Sequence, residues 1–291
     1  MKVNDMKKVM ASAIMFAAAC VSAEKPYFSS PAKDTFIAHR GESIDAPENT
    51  MPAYKIAVER GFGFECDIYL SADKRVFTFH DRTLTRTTAG ACTNKCSDAS
   101  WADEISKVDV GGWGKWKGSK FEGTRPALLE ELLKLAVDGR YIYVEVKPGP
   151  EIVPYIKEVF AKQSKATPKN VLFISFNKGS CKKLKELMPE YKVYWLASHS
   201  KKDKDGKSVP RTAGEVLNAL KETGADGVDI CFNPDIHDKA YVKAIRDKGY
   251  EFHVWTIDRL DLSLQAFAAG VQTVTTNCAK KQLDEFNARA K

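Results

Sequence analysis

The chain has 291 residues, of which 44% are hydrophobic and 29% charged. That composition excludes a disordered or fibrous chain, and the length suits one large core better than two domains; a single (β/α)8 barrel takes roughly 250 residues. The net charge of +7 is scattered in pairs such as Lys182-Lys183, Lys201-Lys202 and Lys280-Lys281, so it reads as solvated surface and gives no footprint for a nucleic-acid partner.

The N-terminus has a different character. Lys7 and Lys8 precede an apolar run from Val9 to Val21, and Val21-Ser22-Ala23 follows as a small-residue cleavage site. This is the pattern of a signal peptide over residues 1–23, and the run is shorter than the roughly 20 residues of a membrane span. The expected product is an exported chain, periplasmic or extracellular, with the domain in residues 24–291 and no transmembrane segment. Lipid attachment at Cys20 is a lower-ranked variant, because Ala17 stands where such sites usually carry Leu. Export places the six remaining cysteines in an oxidising compartment. Cys92 and Cys96 are close enough in sequence for a loop-closing disulfide, evenly balanced against free thiols; Cys66, Cys181, Cys231 and Cys278 lie in periodic or apolar stretches and read as buried thiols.

From residue 35 onward, short apolar runs alternate with stretches of helical period. Strands are expected at Phe36-His39, Phe62-Ile68, Val76-His80, Tyr141-Lys147, Val171-Phe176, Val193-Ala197, Gly227-Cys231, Glu251-Ile257 and Thr273-Thr276. Helices are expected at Thr50-Arg60, Ala127-Val137, Glu151-Lys162, Cys181-Leu187, Ala213-Thr223, Lys239-Lys248 and Leu260-Ala269. Regular alternation implies parallel strands with helical crossovers, and so many units in one chain favour an α/β fold of the closed (β/α)8 TIM barrel type. The open doubly wound sheet is the alternative, but no glycine-rich dinucleotide fingerprint follows the first strand. Residues 82–125 break the alternation and read as an insertion over the barrel mouth.

Chemistry-bearing residues cluster at strand ends. Glu65 and Asp67 are two apart on one strand and therefore share a face. Two adjacent carboxylates repel unless a cation or proton intervenes, and oxygen ligands favour a hard ion, Ca²⁺ or Mg²⁺. Alone, such a pair is more often a surface feature. Glu145 and Lys147 repeat the device in a strand whose other face, Ile142, Val144 and Val146, is apolar, so the charged face must be the lumen. Glu145 is then a candidate third metal ligand and Lys147 a candidate phosphate contact. His39, Arg40 and His80 also fall at or near strand ends, the face where barrel active sites sit. A divalent ion, two cations and two histidines suit phosphodiester hydrolysis by proton transfer; no Gly-x-Ser-x-Gly elbow for a serine nucleophile is present.

Ile37-Ala38-His39-Arg40-Gly41, Pro47-Glu48-Asn49-Thr50, Glu65-x-Asp67 and Phe79-His80-Asp81, in that order, resemble the signature of the glycerophosphodiester phosphodiesterases. The resemblance extends through Leu84-Thr85-Arg86-Thr87-Thr88, Pro126 to Glu131, Glu145-x-Lys147 and Val254-Trp255-Thr256. It implies a (β/α)8 barrel with an insertion after the strand carrying His80. It also implies His39 and His80 as the acid–base pair, Glu65, Asp67 and Glu145 as ligands of one divalent cation, and Arg40, Lys147 and Trp255 as substrate contacts. The implied substrate is a small glycerophosphodiester, cleaved to glycerol 3-phosphate and an alcohol, through a cyclic phosphate or by direct attack of water. Asp258, Gln272 and the insertion depart from the usual pattern. Two other readings remain open: a phospholipase D-like enzyme acting on lysolipids, for which Trp101, Trp113, Trp116 and Phe121 would form an apolar rim, and an inactive phosphate-binding surface protein.

Overall fold

The computed structural model describes residues 33–289; the signal-peptide and Cys20 expectations lie outside the described residues. Eight parallel strands close on themselves in the order β1 (Phe36–Ala38), β2 (Gly63–Leu70), β4 (Ile142–Val146), β5 (Val171–Ser175), β6 (Val193–Ala197), β9 (Gly227–Cys231), β10 (Glu251–Trp255) and β11 (Val274–Thr276), with β11 returning to β1. Around them run α1 (Met51–Glu59), α2 (Leu129–Leu132), α3 (Val153–Phe160), α4 (Lys178–Leu187), α5 (Ala213–Thr223), α6 (Lys239–Arg246), α7 (Leu260–Ala269) and α8 (Ala279–Arg289). The expected TIM barrel is what forms.

Strand periodicity divides the core. On β4 Ile142, Val144 and Val146 face outward into the layer between strands and helices, together with Cys66 of β2 and Val193 of β6. Tyr143 faces inward, where it meets Ile37, Leu172, Ile174, Tyr194 and Leu196 in a separate lumen core. Helix starts are marked by side-chain caps: Asn177 accepts from Ser180 N–H, Asp238 from Tyr241 N–H, and Thr212 and Glu215 form a reciprocal capping box. Gly224 ends α5 in the left-handed region at φ 70°, where a Cβ would be strained.

Two sequence expectations change, and one segment gains structure. The expected strand Val76-His80 is shortened to β3 (Val76–Thr78), which lies outside the ring and runs antiparallel to the far end of β2. This hairpin brings the chain back, so that Phe79 N–H bonds Asp67 O at 3.0 Å and His80 arrives at the mouth. The helix expected at Ala127-Val137 contains only the short α2 and a following 3₁₀ turn, Leu133–Leu135. The charged loop after His199 folds as a small exposed hairpin, β7 (Ser200–Lys202) and β8 (Ser208–Pro210).

The insertion has its own core, in which Leu84, Cys96, Ala99, Trp101, Ile105 and Val110 pack on Phe77 and Phe79. It reaches the β1–α1 loop through Lys115 Nζ, which donates to Ile44 O at 2.9 Å, and through Arg86, which pairs with Glu48. Cys92 and Cys96 are free thiols, Cys96 Sγ lying 3.2 Å from Asp81 O. Cys66, Cys181 and Cys278 are buried and Cys231 is half-buried. Among the described residues no helix is long and apolar enough to cross a membrane.

Candidate active site

The turn after β1 organises the mouth. Arg40 and Gly41 are both left-handed, at φ 57° and 78°. Only glycine fits at 41, because a Cβ there would stand 2.6 Å from the backbone carbon of Ala53. Arg40 is a strained non-glycine position of the kind that gathers at functional sites. The turn aims Arg40 N–H at Glu65 Oε2, 2.9 Å away, and swings the Arg40 side chain back so that Nε lies 3.3 Å from Asp67 Oδ2 and Nη1 2.9 Å from Glu48 Oε1. Asn49, also left-handed at φ 56°, clamps Asp67 twice: its Nδ2 donates to Oδ2 at 2.7 Å and its Oδ1 accepts Asp67 N–H at 3.0 Å.

Glu65, Asp67 and Glu145 converge as periodicity required. All three are buried, and one oxygen from each lies within 4.8 Å of the others. Lys147 Nζ lies 3.2 Å from Asp67 Oδ1 and 2.9 Å from Glu145 Oε1. Burial by itself would raise all three carboxyls. Lys147 and Arg40 overcome it at Asp67 and hold that group well below the usual carboxylate range. Burial and the charge of Asp67 raise Glu65 and push Glu145 up to about 8. Fully ionised, the three carboxylates would carry one more charge than Lys147 and Arg40 balance, so ionising the cluster calls for a further cation. Glu65 Oε1 has no hydrogen-bond partner. An orphaned buried oxygen within an all-oxygen triad fits a hard divalent ion.

The two histidines are fixed by their Nδ1 atoms. His39 Nδ1 lies 2.7 Å from Asn277 Oδ1. The Asn277 amide is oriented by Asp258, whose carboxylate takes Asn277 Nδ2–H at 2.7 Å and Asn277 N–H at 2.8 Å, so oxygen must face His39. An amide oxygen only accepts; His39 therefore carries its proton on Nδ1 and turns Nε2, unprotonated, toward the pocket. Burial, then the Arg40 charge, lower His39 to about 4, although 18% of the side chain remains exposed to the pocket and solvent moderates the effect. His80 Nδ1 lies 2.7 Å from Asp81 Oδ1, and Asp81 is braced by Arg86 Nε at 2.6 Å. His80 thus has a carboxylate behind its Nδ1 where His39 has an amide oxygen.

These groups open on one cavity of about 290 Å³ lined by His39, Arg40, Glu65, His80, Glu145 and Lys147 on one side and by Ile174, Phe176, Leu196, Asp229, Trp255 and Thr275 on the other. Trp255 meets Phe176 edge-on, ring centroids 5.5 Å apart, and its Nε1 donates to Asp229 O at 3.1 Å. Every residue expected at the site thus lines the cavity or, for Asp67, lies directly behind it.

Other positions depart from expectation. Trp101 and Phe121 are buried, Trp116 packs beside Phe121, and none of these or Trp113 lines the cavity, so the apolar rim expected for a lysolipid enzyme is not built from them. His237 is buried and lies outside the cavity, with Asn233 N–H donating to its Nδ1 at 3.1 Å. His253 lies below the cavity, stacked on Tyr194 at 4.3 Å. Sequence reasoning gave no role to Asn277, Asp258, Asp81, Arg86 or Asp229. A polar residue at an inward position of an otherwise apolar strand, as in Val228-Asp229-Ile230, was the available signal for the last.

A parallel barrel whose mouth gathers two histidines, two cations and a carboxylate triad has the parts that hydrolysis of phosphate esters needs. A model of the Glycerophosphoryl diester phosphodiesterase family matches residues 39–281, and the chain belongs to that family. A glycerophosphodiester phosphodiesterase of Caldanaerobacter subterraneus subsp. tengcongensis is 31% identical over 251 residues, covering 84% of this chain and 94% of the relative. Among solved structures, an Oleispira antarctica phosphodiesterase in complex with the product sn-glycerol-3-phosphate superposes with a TM-score of 0.71 at 25% identity, covering 87% of this chain and 96% of its own. A putative glycerophosphoryl diester phosphodiesterase from Silicibacter pomeroyi has a TM-score of 0.75 at 18% identity, covering 91% and 97%, a likeness of fold.

Proposed function

We propose that this enzyme hydrolyses small glycerophosphodiesters to glycerol 3-phosphate and an alcohol, with Glu65, Asp67 and Glu145 holding one Ca²⁺ or Mg²⁺. The observation that carries this reading is the shared cavity, where a carboxylate triad with an orphaned oxygen meets two histidines, each oriented through its Nδ1. Bound there, the cation would neutralise charge on the phosphoryl oxygens and act as a Lewis acid.

The chain's own residues supply the rest. Lys147 and Arg40 add positive charge beside the phosphoryl group, in a site walled by apolar side chains where such charge counts for more than in water. His39, neutral and with Nε2 turned to the pocket, accepts the proton of the attacking hydroxyl; where that hydroxyl is the substrate's own glycerol, water must then open the resulting cyclic phosphate to give glycerol 3-phosphate. His80, oriented by Asp81, gives a proton to the departing alkoxide as the phosphorus–oxygen ester bond breaks. Trp255 and Phe176 cover the organic part of the substrate. Release of glycerol 3-phosphate from glycerophosphocholine, measured with Ca²⁺, with Mg²⁺ and with EDTA, tests the proposal. Product with a cation and none with EDTA is expected; turnover unaffected by EDTA would remove the metal from the account.

A further inference from the structure

The mechanism leaves one buried carboxyl in the cavity without a task. Asp229 points into the lumen from β9, between Leu196 on β6 and His253 on β10 in the strand register. It is 1% exposed, lines the same cavity as His39 and Glu145, and neither of its carboxyl oxygens has a hydrogen-bond partner. It is also outside the carboxylate triad. Across the same floor Thr275, 2% exposed, has a hydroxyl that likewise lacks a partner. Ile174 and Leu196 line the floor with them. Buried polar atoms are costly unless paired, and unpaired ones facing a ligand cavity are what a ligand's own polar groups would satisfy.

We propose that Asp229 and Thr275 form a hydroxyl-reading floor that binds the glycerol half of the substrate. The inference rests on the phosphodiesterase reading above and assigns the residues that select its substrate. Glycerol suits the floor in both respects: its hydroxyls donate to Asp229 and exchange a hydrogen bond with Thr275, while its carbon chain lies against Ile174, Leu196 and the Trp255 ring. The main chain of Asp229 is tied to the apolar wall by the Trp255 Nε1–H bond to its carbonyl, so the reader and the wall are set together.

The test compares two ligands of equal charge and chain length, glycerol 3-phosphate and propyl phosphate, which lacks the hydroxyls. Binding is measured by calorimetry on the Ca²⁺-loaded full chain. The wild type is expected to prefer glycerol 3-phosphate by at least about tenfold, since a site built to bond hydroxyls rejects the analogue without them. Asp229→Leu should reduce that preference to below about threefold while propyl phosphate affinity stays within about threefold of wild type. Thr275→Val, nearly isosteric, should reduce the preference part-way, and it decides the matter if Asp229→Leu does not fold. An unchanged preference in the folded variants overturns the proposal. So does a result in which the preference survives but Asp229→Leu loses discrimination between glycerophosphocholine and glycerophosphoglycerol, which would assign Asp229 to the leaving alcohol. Wild-type hydrolysis of glycerophosphocholine, run in parallel, separates the two levels. Turnover with an unaltered preference in Asp229→Leu overturns only the floor; a wild type that neither hydrolyses the diester nor binds glycerol 3-phosphate overturns both.

Discussion

The lumen wall made by β1, β2 and β4 presents His39, Glu65, Asp67, Glu145 and Lys147, whereas the wall made by β5, β6 and β10 presents Ile174, Phe176, Leu196 and Trp255. The first wall is charged and cross-braced: Arg40 ties Asp67 to Glu48, Asn49 grips Asp67 from two sides, and Lys147 spans Asp67 and Glu145. The second is held by packing and a single indole hydrogen bond. The charged wall keeps its groups fixed before substrate arrives, which is what electrostatic catalysis requires. The apolar wall keeps water out and strengthens the charges opposite. On this division, damage to the charged wall falls on kcat and damage to the apolar wall on KM.

The sharpest break is expected from the histidines. His80→Ala should lower kcat by roughly 10²–10⁴, the usual contribution of a positioned acid or base, with little change in KM. A large rise in KM at unchanged kcat would place His80 in binding alone.

Asn277→Ala comes next. It leaves every charged group in place but frees the His39 ring, so kcat should fall by roughly 10–100-fold, as when a supporting hydrogen-bond partner is removed. The histidine-dependent limb of the pH–rate profile should move as well. An unaltered profile and rate would mean that Asn277 is packing only.

Trp255→Ala tests the other wall. Loss of one aromatic face should raise KM by about tenfold, ~1.4 kcal/mol, while kcat changes by less than about threefold. A fall in kcat as large as that of the histidine variants would dissolve the division between the walls.

The smallest effect is on stability. Glu145 is raised from 4.5 to about 8 in the metal-free fold, first by burial and then by Asp67. Between those values the folded chain binds more protons at this site than the unfolded chain does, so stability must fall as pH rises through that window. Melting curves of EDTA-treated protein from pH 5 to pH 8 should show this group's decline as a Tm lowered by a few degrees, and Ca²⁺ or Mg²⁺ should reverse it. Glu145→Gln should flatten the metal-free dependence. An equally steep loss in that variant would assign the effect to other groups.

Strand periodicity makes much of this legible in the sequence alone. Glu65-x-Asp67 and Glu145-x-Lys147 had to share faces, and the apolar Ile142, Val144 and Val146 fixed which face was the lumen. The support of the site was hidden because it comes from distant segments: Asn277 reaches His39 across 238 positions, and Asn49 clamps Asp67 across a turn whose left-handed backbone leaves no periodic trace. His80 was expected at the end of a barrel strand. It reaches the mouth by an antiparallel return, since β2 overruns the ring and β3 pairs with the overhang. The β7–β8 hairpin escaped notice because its strands are three residues each, exposed, and set in a lysine-rich loop.

If the charged wall performs the chemistry and is separable from binding, His39→Ala should separate the two. Turnover of glycerophosphocholine and calorimetric affinity for glycerol 3-phosphate would be measured on the same cation-loaded preparation. The expected result is a loss of turnover of at least about 10² with affinity held within about threefold of wild type. Turnover retained near the wild-type rate, with or without a change in affinity, would contradict it.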